Sequence, residues 1–64
     1  MDDIDIWRSA NLLVEMHGAE DAQLVSARRA DAYRQQGDME GFIVWTRIVL
    51  AIMTLDRRKP REGD

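Results

Sequence analysis

A chain of 64 residues has room for one domain, and a domain this small buries only about 60% of its unfolded surface, so it ordinarily leans on a disulfide, a metal or a second subunit. It has no cysteine and a single histidine, His17, which excludes disulfides, thiolate metal sites and histidine-rich metal sites and leaves association as the remaining device. The net charge of −3 is unevenly spread: residues 1–21 hold six acids and one base (−5), residues 22–56 hold four of each, and residues 57–64 hold four bases and two acids (+2), a pattern that opposes phosphate binding and favours pairing within or between chains.

The chain opens on Met1-Asp2-Asp3-Ile4-Asp5, which lacks the basic and apolar regions of a secretory signal, so the expectation is a cytoplasmic protein without cofactor or metal. A first helix is predicted over 3–17. Asp2 and Asp3 can cap it, and Asp5 adds negative charge where the helix dipole favours it. Ile6, Trp7, Ala10, Leu13, Val14 and His17 share one face, and Leu12 and Met16 widen its flank. Gly18 follows as a left-handed C′ residue.

A second helix is predicted over 19–36, with Glu20 and Asp21 in its first turn. Its inner stripe contains Ala22, Val25, Ser26, Ala30 and Tyr33; the small row Ala22, Ser26, Ala30 lets a neighbouring backbone approach closely. Arg29 also points into this stripe. Gly37 then closes the second helix, and Asp38 is placed to cap the third.

The third helix is predicted over 38–58 and contains the most apolar run of the chain, Phe42 to Leu55, interrupted only by Thr46, Arg47 and Thr54. At about 100° per residue its inner half carries Val44, Trp45, Ile48, Val49, Ala51, Ile52 and Leu55, with Phe42 and Met53 at the margins. Its back still shows Ile43 and Leu50. The run is longer than a typical strand, and it is too short and too charged at Arg47 to be a membrane span, which needs about 20 apolar residues. Arg57, Arg58 and Lys59 suit a helix C-terminus, Pro60 stops the helix, and residues 59–64 are expected to form a flexible tail. The expected fold is all-α, a single three-helix antiparallel up-down-up bundle over residues 1–58.

No reactive constellation accompanies this fold. His17 lacks a nucleophile or carboxylate on its own helix face, and the bland role of a helix C-terminal histidine is preferred. Asp2, Asp3 and Asp5 lack the glycine turn and distal glutamate of a calcium loop, so capping is preferred. Arg29 could hold an anionic ligand, but a stem covering apolar surface with its head in water is the favoured role. Arg57, Arg58, Lys59 and Arg61 could touch nucleic acid, yet a short basic tail on an acidic chain is a weak signal. Trp7 and Trp45 are assigned to the core. Ile43 and Leu50, with Arg47 and Thr54 beside them, form the candidate protein-interface strip.

The pattern Trp7, Ala10, Leu13-Val14, His17-Gly18, Arg29-Ala30, Gly37-Asp38-Met39-Glu40-Gly41, Trp45, Ile48, Ala51-Ile52, Leu55 and Pro60 resembles a family of small uncharacterised alphaproteobacterial proteins. The resemblance implies a bacterial cytoplasmic protein and no activity. Tyr33 followed by Gly37-Asp38 also resembles a tetratricopeptide hairpin, although Phe42 stands where such repeats need a small residue, and one hairpin falls short of an array. The functional expectation is a non-enzymatic, self-associating protein-interaction module, a homodimer through the third helix or a partner of another protein. A small helix-turn-helix DNA-binding regulator, with Arg28, Arg29 and Arg34 on its second helix, is the alternative.

Overall fold

A computed structural model describes residues 2–58, which form three helices: α1 (Asp3–His17), α2 (Ala19–Gln35) and α3 (Met39–Arg58). Among the described residues there is no strand, and the helices pack against one another as an all-α bundle. Pro60 and the expected tail over 59–64 lie outside the described residues.

Side chains at the two ends of the bundle fix its topology. At one end Ile6, Tyr33, Gly41 and Val44 surround the same depression. At the other end His17, Gly18 and Asp56 do so. α1 and α3 therefore run in the same direction and α2 returns between them, the up-down-up order that short connections dictate.

The two turns differ in construction. Gly18 alone joins α1 to α2: its N–H donates to the Val14 carbonyl at 2.8 Å, and its own carbonyl accepts from Ala22 N–H at 2.9 Å. Its φ of 81° agrees with expectation, but its ψ of 158° places it outside the left-handed helical region. The residue has to start α2 as well as end α1, and an extended ψ redirects the chain at once. The second turn is a Schellman motif. Asp38 N–H reaches the Tyr33 carbonyl at 2.9 Å and Gly37 N–H reaches that of Arg34 at 3.1 Å, with Gly37 at φ 78°. Asp38 then caps α3, its carboxylate accepting from Gly41 N–H at 3.0 Å. Gln36 and Asp38 thus serve as cap residues, so α2 and α3 are each one residue shorter than expected.

The buried core consists of Ile6 and Ala10 from α1, Ala22, Ser26 and Ala30 from α2, and Ile48, Ala51 and Ile52 from α3. Leu13, Val14, Val44, Trp45 and Leu55 pack around it half-buried. α2 supplies only small side chains, so the isoleucines of its neighbours can pack close to its backbone. One glycine deepens that approach: a Cβ at Gly41 would lie 2.5 Å from the Tyr33 ring, so the ring rests directly on the first turn of α3.

Trp7 corrects the sequence expectation. It is 38% exposed rather than core. It sits at the edge of the α1 stripe, beside a shallow groove that α3 leaves open. Trp45 is half-buried, and the Arg29 guanidinium lies 5.1 Å from its ring centroid. Arg29 therefore covers apolar surface as a cation–π partner, in the way its amphipathic stem allows.

Candidate protein interface

The back of α3, opposite Ile48 and Ile52, gathers four exposed large apolar side chains on one face of the helix; α1 exposes four as well, Ile4, Trp7, Leu12 and Met16. Met39 is 56% exposed, Ile43 47%, Leu50 57% and Met53 37%. Their positions follow a 4-3-4-3-4 alternation, Met39, Ile43, Thr46, Leu50, Met53, Arg57, which is the spacing of a heptad seam. Ordinary globular helices put such a stripe toward the core. α3 carries one toward the core and a second away from it.

Two threonines make this second stripe less polar than its sequence. Thr46 Oγ1 donates to the Phe42 carbonyl at 2.7 Å, and Thr54 Oγ1 donates to the Leu50 carbonyl at 3.0 Å. Each hydroxyl is satisfied by its own helix, so neither demands a partner across an interface.

Of the expected interface residues, Ile43 and Leu50 lie on the seam itself. Arg47 and Thr54 lie along its α1 side. There Arg47, Leu50 and Thr54 meet Asp3, Ile6, Trp7 and Ala51 around an open groove of about 310 Å³. That groove brings together Arg47, Leu50 and Thr54 with Trp7, whereas Ile43 borders the depression at the Tyr33 end of the bundle; Met39 and Met53 are exposed on the same back of α3. Met39 precedes the apolar run and so escaped notice. Met53 was assigned to the inner half because it sits on its margin. The seven-residue spacing of the back positions was the signal that would have found both.

The other singled-out residues come together less. His17 is exposed at the end of α1, in a depression that also holds Glu20, Asp21 and Asp56. Asp2 occupies the α1 N-cap position, yet its carboxylate makes no capping hydrogen bond. Arg28 and Arg34 are exposed on α2, whereas Arg29 is held over Trp45. Among the described residues no three acidic, histidine or cysteine side chains are arranged to hold a metal ion, and no helix is long and apolar enough to cross a membrane.

Comparison with protein-family models, with curated proteins and with solved structures finds no match to this chain. The functional reading therefore rests on the surface itself.

Proposed function

We propose that the protein is a non-enzymatic interaction module that associates with a second copy of itself through the back of α3. The observation that supports this reading is the exposed seam Met39, Ile43, Leu50, Met53, which leaves four large apolar side chains wet in a chain short of core. Burying a half-exposed side chain of this kind contributes about 1 kcal/mol, so covering most of this strip favours association without any polar contact. The surface is narrow. A helix of this length presents a strip about 30 Å long and about 10 Å wide, well short of the roughly 800 Å² per partner of a standard stable interface. The association is accordingly expected in the micromolar range rather than tighter. A cytoplasmic setting belongs to this reading.

The test is the solution mass across a range of concentrations, by sedimentation, for the wild type and for Ile43→Glu/Leu50→Glu. The wild type is expected to pass from monomer to dimer, and the variant to remain a folded monomer, because neither residue reaches the core. A wild type that stays monomeric up to several hundred micromolar would sink the proposal.

A further inference from the structure

We infer that the two copies meet with their α3 helices antiparallel, in the register that sets Glu40 of each against Arg47 of the other; the inference rests on the self-association proposed above and specifies its geometry. With Met39, Ile43, Thr46, Leu50 and Met53 as the alternating seam, Glu40, Arg47 and Thr54 line one flank and Phe42, Val49 and Asp56 the other. Glu40 and Arg47 are both exposed. Seven residues apart, they are about 10 Å apart along the helix axis, too far to pair within one chain.

Orientation decides what these flanks meet. In a parallel pair, each flank faces the opposite flank of the partner, so Arg47 would lie against Phe42 of the partner subunit and Glu40 would find no α3 residue. A parallel pair also stacks Thr46 on Thr46 and Arg57 on Arg57 across the seam. In an antiparallel pair like flanks face each other. The register that opposes Glu40 and Arg47 then layers Met39 on the partner's Leu50 and Ile43 on the partner's Thr46, and leaves Met53 just beyond the overlap of the two α3 helices. It places Phe42 against Val49 of the partner subunit on the other side. A two-fold axis repeats every contact, giving two ion pairs and a self-complementary interface. Sliding the helices by one heptad would layer Ile43 on the partner's Met53 but bring the two Arg47 side chains together, and the opposite slide would bring the two Glu40 side chains together. Antiparallel helix dipoles favour the same choice.

Charge reversal tests this through mixing. Glu40→Arg alone places like charges at both pairs, and so does Arg47→Glu alone; each is expected to weaken self-association about tenfold. An equimolar mixture of the two variants restores both attractions and is expected to associate to within about threefold of the wild type. The readout is the sedimentation or fluorescence-anisotropy binding curve, with circular dichroism to show that each variant keeps its helices. Recovery on mixing cannot come from a change in folding. If the wild type dimerises but neither variant differs from it, or the mixture is no stronger than its components, the antiparallel register is wrong and the self-association stands. If the wild type does not dimerise at all, both statements fall together.

Discussion

Two side chains show how much one atom matters in a core this thin. The Tyr33 ring occupies the space where a Cβ on Gly41 would lie, with Cδ1 at 2.5 Å and Cγ at 2.6 Å. Cγ is near the root of the side chain, so the ring cannot simply swing away. Gly41→Ala is therefore expected to destabilise the fold by about 1–3 kcal/mol. Combining it with Tyr33→Ala should cost less than the sum of the two, and denaturation of all four members of the cycle measures that coupling. Ser26 presents the opposite case. It is fully buried, and among the described residues its hydroxyl has no hydrogen-bond partner. Ser26→Ala removes the unpaired group at nearly constant shape, and the urea midpoint is expected to hold or to rise by up to about 1 kcal/mol in stability. The small row Ala22, Ser26, Ala30 was legible from helical periodicity. The exposure of Trp7 was not, because a helical wheel assigns direction without depth, and the surface beside Trp7 remains open as a groove.

At the scale of the element, local chemistry carried the reading. Gly37 and Asp38 announce a stop and a start, and the hydrogen bonds of the Schellman motif and of the Asp38 cap realise both. Asp38→Ala is expected to cost about 1 kcal/mol. Asp2→Ala should cost distinctly less, since the Asp2 carboxylate caps nothing; paired urea melts would expose the difference. What escaped the sequence reading depends on more than neighbours along the chain. The ψ of Gly18 is set by where α2 must go, which only the packed bundle decides. The second stripe of α3 was half legible for a related reason. Ile43 and Leu50 stand out on the back of any wheel; Met39 lies there too but ahead of the apolar run, and Met53 sits on the margin, where its exposure depends on how far α1 and α2 reach around α3.

At the scale of the whole molecule, the proposed association would give one helix two jobs. Ile48, Ala51 and Ile52 hold the bundle together, while Met39, Ile43, Leu50 and Met53 face away from it. Fold and association should therefore be separable by mutation. If association stabilises the folded chain, the wild-type melting temperature rises with protein concentration, each tenfold increase adding up to about 1.4 kcal/mol once dimer dominates. The Ile43→Glu/Leu50→Glu variant should melt at one temperature at every concentration. Calorimetry at three concentrations would decide it; a concentration-independent wild type would count against the dimer. The fold class and helix order were readable from periodicity and punctuation alone. The exposed strip on α3 was readable only in part, because a sequence shows which residues are apolar but not which of them the rest of the chain has already covered.

The single residue between α1 and α2, and the three between α2 and α3, leave the described chain without a stretch long enough for a protease to grip. Cleavage needs a segment of extended backbone, and here such a segment exists only after a helix has opened. Between residues 2 and 58 the digestion rate should thus follow the opening equilibrium of the bundle itself rather than the looseness of any connecting segment.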